Sequence, residues 1–340
     1  MRAFLIFLTA TALAQPKLQI QPSNTTENLR GISAVSKNIA WASGTHGTYL
    51  RTTNAGLTWT PAQVPNAATL DFRAVVAFSA DEAFLMSAGP GDQSRVYHTA
   101  DAGQTWQLQF NNTNPKGFFD SMVFWDRTHG IVLGDPIPDQ TGQLKFELLL
   151  TTDGQSWTPL PSTKLPPAIE GEGAFAASNT CLAILDPNIW FATGGKVARV
   201  FHSPDRGQTW QVFSTPIVQG QDSAGIFSIS FRDQTHGVIA GGDYKHPDQD
   251  GPNLAFTNDA GQTWTISPIH PQAYFSAVTY DRRKTARLLI LSPKFIYDDR
   301  PQETPTQIIP DNNIQFNALS PFPAGGALAV GPKGAIAKIP

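Results

Sequence analysis

Short alternating apolar runs follow one another along most of the chain, separated by turns rich in Gly, Pro, Asp and Asn. Typical runs are RVYHT (95–99), SMVFW (121–125), GIVLGD (130–135), FSISF (227–231) and GVIAGGD (237–243). Alternation over such lengths predicts half-buried strands, and no stretch of useful length has the spacing of an amphipathic helix. The pattern therefore predicts an all-β protein.

A short phrase recurs between these runs. Its copies are TTNAGLTW (52–59), TADAGQTW (99–106), SPDRGQTW (203–210) and TNDAGQTW (257–264), with a shorter version, TTDGQSW (151–157). Their tryptophans, Trp59, Trp106, Trp157, Trp210 and Trp264, are 47, 51, 53 and 54 residues apart. A period of about 50 residues containing about four strands is typical of the blades of a β-propeller.

Two further blades lack the phrase and cover about residues 274–300 and 314–340. The last of them contains only three strand-like runs. KLQIQ (17–21) near the N-terminus could supply the fourth strand, which would close the ring and leave no open edge. We therefore predict a single seven-bladed β-propeller over residues 15–340, with five blades ending near the tryptophans of the phrase.

The phrase itself predicts a stabilised turn between the third and fourth strands of a blade. Its acidic position should accept hydrogen bonds from backbone N–H groups, its Gly should adopt a positive φ, and its second Ser/Thr should bond back to the acid. The Trp should cover apolar surface. Because Asn keeps the acceptor and loses the charge in the first copy, we predict a structural role for the whole set: Asn54, Asp101, Asp153, Asp205, Asp259 and the five tryptophans.

Residues 1–14 have the pattern of a secretory signal peptide. Arg2 precedes an apolar run that is too short to span a bilayer permanently, and Ala12-Leu13-Ala14 fits a cleavage site before Gln15. We expect an exported protein, periplasmic or secreted, with no membrane span after cleavage. Cys181 is the single cysteine and excludes an internal disulfide, which is normal for a bacterial envelope protein.

Composition excludes some partners. Charged residues make up 15% of the chain, the net charge is −3 and no basic stripe exists, which argues against a nucleic-acid partner. His and Cys residues lack the spacing of a metal site, so we expect neither a metal nor a cofactor.

Strand order divides the candidate residues between two faces. The repeated turns share one face with the hairpins that contain His129 and His236, which we interpret as turn-stabilising residues. The links into each blade and the loops between second and third strands share the other face, around the mouth of the central channel. Propeller ligands usually bind there, by analogy at the level of the fold. The candidates on this face are Arg30, Arg73, Asp120, Asp135, Glu172, Ser223, Asp243 and Tyr244.

The repeated phrases resemble the Asp-box, or BNR, repeats of sialidases. The whole mature chain, over about residues 17–340, more closely resembles the photosystem II stability/assembly-factor-like propellers. The stretches that carry this resemblance are RGISAVSKNIAWASGTHGTYLRTTNAGLTW (30–59), GIFSISFRDQTHGVIAGGDY (225–244) and LAVGPKGAIAKI (328–339). It implies a protein without catalytic groups that helps to build or stabilise a larger complex. Because many functions share the box, the box specifies a fold better than an activity.

Three functions follow as hypotheses. The first is an exported, monomeric, non-catalytic propeller that binds a protein partner in the cell envelope. The second is a glycoside hydrolase that acts on a glycan at the channel mouth, with Asp120 and Glu172 as its weak candidate carboxylate pair. It would not be a typical sialidase, because Phe72-Arg73-Ala74-Val75 stands in place of the Phe-Arg-Ile-Pro signature and no third arginine is evident. The third is a structural or adhesion module.

Overall fold

The alternating runs form short antiparallel strands grouped into blades around a channel. A computed structural model describes residues 18–268, 273–281, 287–301 and 305–340. Within these ranges there is no α-helix, and four single turns of 3₁₀ helix occur, at Gly91–Gln93, Ser162–Lys164, Asp311–Asn313 and Pro332–Gly334. In the same part of the chain, no helix is long and apolar enough to cross a membrane.

In blades 1 to 6 the strands follow chain order, from the inner to the outer strand of the blade. After β1 (Gln19–Ile20), blade 1 contains β2 (Leu29–Ala34), β3 (Ala40–Gly44), β4 (Thr48–Thr52) and β5 (Thr60–Gln63). Blade 2 contains β6 (Asp71–Ala77), β7 (Ala83–Ala88), β8 (Arg95–Thr99) and β9 (Gln107–Asn111). Blade 3 contains β10 (Phe119–Phe124), β11 (Gly130–Pro138), β12 (Leu144–Thr151) and β13 (Thr158–Pro159).

Two additional two-residue strands, β14 (Glu172–Gly173) and β17 (Gly194–Gly195), connect blade 4 to blade 5, because β17 pairs both with β14 and with the first strand of blade 5. Blade 4 itself contains β15 (Leu182–Leu185), β16 (Asn188–Ala192), β18 (Arg199–Ser203) and β19 (Gln211–Ser214). Blade 5 contains β20 (Ala224–Phe231), β21 (Gly237–Asp243), β22 (Leu254–Thr257) and β23 (Thr265–Ile266).

Blade 6 contains β24 (Ala277–Tyr280), β25 (Leu288–Leu291), β26 (Ile296–Asp299) and β27 (Thr306–Ile308). Blade 7 contains β28 (Ala318–Pro321), β29 (Ala327–Val330) and β30 (Ile336–Ile339), and β1 is its fourth strand. Gln19 pairs with Lys338 and Ile20 pairs with Ala337. The predicted seven-bladed ring and its closure by the N-terminal strand are therefore confirmed. Lys17 and the predicted signal peptide (1–14) lie outside the described residues.

The hydrophobic core lies between neighbouring blades. Because successive side chains of a strand point to opposite faces, each blade packs against the blade before it and the blade after it. Phe146 of blade 3 lies with its ring centroid 5.0 Å from that of Phe191 in blade 4, in one of several such buried clusters. Serine side chains also join the inner strands: Ser33 accepts a hydrogen bond from the N–H of Ala77, and Ser320 from that of Ala34.

Within each repeated turn, side chains hydrogen-bond to one another and to the backbone of the same turn. In the fourth copy, the Ser203 hydroxyl donates to Asp205 and accepts from the N–H of Gly207, while Thr209 donates to Asp205 through both its N–H and its hydroxyl. The residue before Gly also has a positive φ, 56° at Arg206, so two consecutive residues adopt the left-handed conformation. This turn is also bonded to the adjacent hairpin, since the Arg206 N–H donates to Pro187.

Glutamines connect some turns to the preceding blade. Gln109 of blade 2 donates to the carbonyl of Gly154 in the next turn and accepts from the indole N–H of Trp157, at 2.9 and 3.0 Å. Gln21, which follows β1, makes the equivalent pair of bonds with Ala55 and Trp59. The repeated turns therefore stabilise contacts between blades as well as their own shape.

Candidate binding site at the channel mouth

The first strands of six blades share a six-residue pattern. The sequences are LRGISA (29–34), FRAVVA (72–77), FDSMVF (119–124), IFSISF (226–231), FSAVTY (275–280) and FNALSP (316–321). The first residue is large and apolar, the third is small and the fourth is aliphatic or Met, whereas the second varies in chemistry. We call these second residues the mouth positions: Arg30, Arg73, Asp120, Phe227, Ser276 and Asn317.

Backbone bulges aim several mouth positions away from the sheet. The pairing register shifts around Arg30, Arg73, Asp120 and Phe227, so each is the extra residue of its strand. Asp135 is likewise the extra residue of β11. A bulge leaves one residue unpaired and redirects its side chain, which is why bulges are frequent beside functional sites. The same device, repeated from blade to blade, directs these side chains towards the channel.

All six mouth positions line one cavity of about 530 Å³, which we call the mouth cavity. This volume lies within the range of about 300–1,000 Å³ that is typical of ligand sites. Much of the remaining wall is aromatic: Phe118, Phe175, Tyr244, Tyr274 and Phe316. The rings of Phe175 and Phe227 stack with centroids 3.8 Å apart. The cavity therefore combines apolar surface with a small number of charged groups.

A segment of the chain, residues 174–180, crosses the channel beneath this cavity and forms its floor. We call it the channel segment. The carbonyl of Ala176 accepts hydrogen bonds from Arg30 and Arg73. The Ser178 hydroxyl donates to the carbonyl of Ser276. The side-chain amide of Asn179 accepts from the N–H of Met122 and donates to its carbonyl. Blades 1, 2, 3 and 6 thus all hold this segment in place.

The channel segment also borders a second cavity, of about 910 Å³, on the side of the repeated turns. Ala174 to Ala177 line the mouth cavity, whereas Asn179 and Thr180 line the second one. The inner strands of all seven blades contribute to this second cavity. The channel is therefore divided into two compartments, and a ligand at the mouth meets a floor.

The two arginines of the mouth cavity differ in how their charge is balanced. Arg73 donates to Asp71 at 2.8 Å and, more weakly, to Ala176 at 3.3 Å. Arg30 donates only to the neutral Ala176 carbonyl among the described residues, at 3.4 Å. Burial, together with the nearby charge of Arg73, lowers the pKa of Arg30. Arg30 therefore remains an undercompensated cation at the cavity wall.

Two carboxyl groups line the same cavity as these arginines. Asp120 is 1% exposed, and neither of its oxygens has a hydrogen-bond partner in the described chain. Burial, reinforced by the charge of Asp135, raises the pKa of Asp120 well above its usual range. Burial also raises the pKa of Asp135 to about 6, although this side chain accepts a bond from the N–H of Ala174. Any side chain at Gly173 would meet Asp135, since its Cβ would lie 2.9 Å from the carboxylate.

Glu172 does not belong to this cavity. Its side chain is fully buried and accepts bonds from Thr193, from the N–H of Ile169 and from two nitrogens of Arg199. This network supports the β14–β17 pair beside blade 4. The structure therefore does not bring Glu172 and Asp120 together as a carboxylate pair.

The three candidates from blade 5 lie together, but only Tyr244 reaches the cavity. Tyr244 is 48% exposed, and its N–H donates to the carbonyl of Ser223. Asp243 accepts from His246 and from the N–H of Lys245. Burial opposes ionisation of Asp243, but hydrogen bonds from His246 and Ser223 outweigh it and lower its pKa. Ser223 and Asp243 thus shape the loop that carries Tyr244.

The repeated histidines lie in the hairpins on the opposite face. His129 contacts Asp126 and His236 contacts Asp233 within exposed turns. In the described ranges, no group of three or more His, Cys, Asp or Glu side chains is arranged to hold a metal ion.

Of the aromatic wall, the sequence predicted only Tyr244, and it did not predict the channel segment. Phe227, Ser276 and Asn317 occupy the same place in their strands as Arg30 and Arg73, so alignment of the six first strands would have found them. The channel segment has a weaker signal, the run of small residues in AFAASNT (174–180), which gives no indication that it crosses the channel.

A family model described as the DUF6242 beta propeller domain matches residues 9–297. The chain belongs to this family. The match to the DUF6242 propeller extends from the N-terminal region through blade 5 and into blade 6. No curated protein matches the sequence.

Solved structures resemble this DUF6242 propeller over nearly its whole length. "YCF48 bound to D1 peptide" is 14% identical with a TM-score of 0.67, covering 96% of this chain and 98% of that one. YCF48 from Cyanidioschyzon merolae is 17% identical with a TM-score of 0.62, covering 95% and 98%. A streptogramin B lyase is 11% identical with a TM-score of 0.67, covering 95% and 97%. At such identities the likeness shows the fold alone.

Proposed function

We propose that this protein is an exported, non-catalytic propeller that acts as a monomer and binds a segment of a protein partner in the mouth cavity. The observation that carries the proposal is the variation at the mouth positions. Their flanking residues keep one pattern, while the mouth positions themselves supply cations, an acid, an aromatic ring, a hydroxyl and an amide to one cavity. Convergence of a few polar groups on an aromatic wall is typical of ligand sites.

Two likenesses support a protein partner. One structurally similar propeller, YCF48, is named as bound to a D1 peptide, and other similar structures are WD40 propellers. The resemblance of the sequence to assembly-factor-like propellers points the same way. We infer that the partner is a component of an envelope complex that this protein helps to assemble.

Peptide display tests the proposal directly. Random peptides would be selected on the purified protein, and their affinities measured for Tyr244→Ala and Leu57→Ala. Tyr244 lines the mouth cavity, and Leu57 is 77% exposed in the first repeated turn on the other face, so each change removes an exposed side chain. We expect about tenfold weaker binding for Tyr244→Ala, because aromatic anchors dominate such interfaces, and no change for Leu57→Ala. Equal binding to both variants would contradict the mouth as the site.

Export has its own test. Expression of the full chain in a bacterial host, followed by mass spectrometry of the periplasmic fraction, should give a protein that begins at Gln15. Full-length protein found only in the cytoplasm would contradict export.

A glycoside hydrolase remains the second candidate, now with a different pair of acids. Asp120 and Asp135 both contribute to the mouth cavity, and both have a raised pKa, which is how an acid catalyst stays protonated near neutral pH. Fluorogenic glycosides, including sialosides, would be incubated with the wild type and with Asp120→Asn. Turnover that disappears in the variant would favour the hydrolase over the binding protein.

A further inference from the structure

Three groups of the mouth cavity have polar atoms without a hydrogen-bond partner among the described residues. They are Nε of Arg30, both carboxylate oxygens of Asp120 and the hydroxyl of Ser276. All three residues occupy mouth positions, on blades 1, 3 and 6, so the repeat places them at corresponding points around the ring. Buried polar atoms are nearly always hydrogen-bonded in native proteins. Three unpaired groups in one cavity therefore indicate a site for a polar ligand.

The state of Asp120 determines which ligand fits. Around its carboxyl group lie Asp135 from β11, Arg73 from β6 and the Cys181 thiol at the start of blade 4. Arg73 favours the ionised form, but burial and Asp135 together outweigh it and raise the pKa of Asp120. A neutral carboxylic acid donates one hydrogen bond, as a serine hydroxyl can. A neutral Asp120 can therefore donate through one oxygen and accept through the other, while Arg30 and Ser276 offer donors.

The charge of the cavity leads to the same conclusion. Arg73 already pairs with Asp71, whereas Arg30 has only the carbonyl of Ala176 as an acceptor among the described residues. A guanidinium gains most from an anionic acceptor, with which it forms charge-assisted bonds. A ligand that carries a negative charge would provide that acceptor for Arg30, and its other polar groups could bond Asp120 and Ser276 in the same cavity.

We propose that the mouth cavity binds a carboxylate of its ligand at Arg30, with Asp120 and Ser276 bonding other polar groups of the same ligand and the aromatic wall holding an adjoining apolar group. This inference rests on the proposed peptide-binding function and deepens it. The carboxylate can come from the C-terminus of a peptide or from an Asp or Glu side chain, since both present the same acceptor.

Small probes separate these sources and test the carboxylate itself. N-acetylphenylalanine carries a terminal carboxylate, its amide replaces that group with a neutral one, and N-acetylglutamate α-amide carries only a side-chain carboxylate. Their affinities would be measured by calorimetry at pH 5 and pH 8. We expect at least one carboxylate to bind about tenfold more tightly than the amide at pH 5, the size expected for a charge-assisted hydrogen bond. Binding should weaken as the pH rises through about 6, where Asp135 ionises and repels the ligand.

Variants of Asp120 make the test specific. Asp120→Ala removes the donor and should weaken the preferred probe about tenfold, whereas Asp120→Asn keeps an N–H donor that cannot ionise. Asp120→Asn should therefore retain binding at pH 5 and should still lose affinity by pH 8, because Asp135 is unchanged. Asp92→Asn is the control, because Asp92 lies in an exposed loop at the mouth face and does not line the cavity. Urea unfolding of each variant confirms that it is folded.

The outcomes are distinguishable from those of the proposed function. Equal affinity for the amide and for both carboxylates, or unchanged binding by a folded Asp120→Ala variant, would overturn the inference. If displayed peptides still required Tyr244, the proposed function would nevertheless stand. If neither peptides nor probes bound, both would fall.

Discussion

In a repeated turn, three hydrogen bonds satisfy the carboxylate of Asp205, whereas at the channel mouth the carboxylate of Asp120 accepts none from the described chain. Both residues belong to a repeated sequence pattern. In the turns the pattern fixes the polar residue itself, because that residue shapes the backbone. At the mouth the pattern fixes only the flanking residues and leaves the central one free to vary. One repeat can therefore specify the backbone shape at one face and leave the side chains of the mouth positions free to vary at the other.

The largest expected effect tests whether Glu172, unlike Asp120, has a structural role. Glu172→Ala should lower the free energy of unfolding by about 3–5 kcal/mol, because it leaves the guanidinium of Arg199 without its buried partner. Urea denaturation would measure it, with the exposed neighbour Glu170→Ala as the control. A loss below about 1 kcal/mol, typical of an exposed ion pair, would show that Glu172 is not the structural acid described above.

A smaller effect tests the connection between blades. Gln109→Ala removes two hydrogen bonds and leaves the indole N–H of Trp157 without an acceptor. We expect a loss of about 2 kcal/mol in the free energy of unfolding. Gln107→Ala, at an exposed position of the same strand, should be close to neutral. If both variants unfolded at the same urea concentration, the turns would not stabilise contacts between blades.

Within a single turn the expected loss is about 1 kcal/mol. Ser203→Ala removes the hydroxyl that bonds both Asp205 and the N–H of Gly207. Thermal and urea unfolding would be compared with those of Ser214→Ala, an exposed serine in the outer strand of the same blade. A neutral Ser203→Ala would mean that the Asp and Thr of the phrase maintain the turn without its first hydroxyl.

The last prediction concerns the pH dependence of stability rather than the loss of a contact, and it is centred on Asp120. Because its pKa in the folded protein lies above its unfolded value, its contribution is greatest in acid and is lost as the pH rises towards the folded value. Asp135, whose pKa is raised to about 6, adds a loss of the same sign. The free energy of unfolding should therefore fall between about pH 4 and pH 7, and should fall less in Asp120→Asn. An equal slope in both proteins would contradict a raised pKa at Asp120.

Much of the fold could be predicted from the sequence because the information is periodic. Five tryptophans at nearly equal spacing specify the blades, and the three runs of the last blade imply a strand from elsewhere. The candidate site could be predicted from the sequence only in part. Asp120 is the second residue of β10 and Glu172 is the first residue of β14, and the pairing of Glu172 with Arg199, which lies 27 residues further along the chain, distinguishes them.

The bulges explain another part of what was missed. An alternating pattern assigns each residue to one face of a strand, but a bulge adds a residue and reverses that assignment locally. Phe227 therefore reads as an ordinary strand residue, although it lines the mouth cavity. The channel segment was missed for a different reason, since its bonds go to blades 1, 2, 3 and 6, far from it in sequence.

The pairing of β1 with β30 also constrains the order in which the protein can be assembled during translation. β1 leaves the ribosome before any blade, and its partner strand, β30 (Ile336–Ile339), follows all the other strands of the ring in the chain. Blades 1 to 6 can therefore form before β30 does, but the ring stays open until β30 has emerged. An interrupted chain would expose unpaired strand edges at both ends, which quality-control proteases and chaperones can recognise.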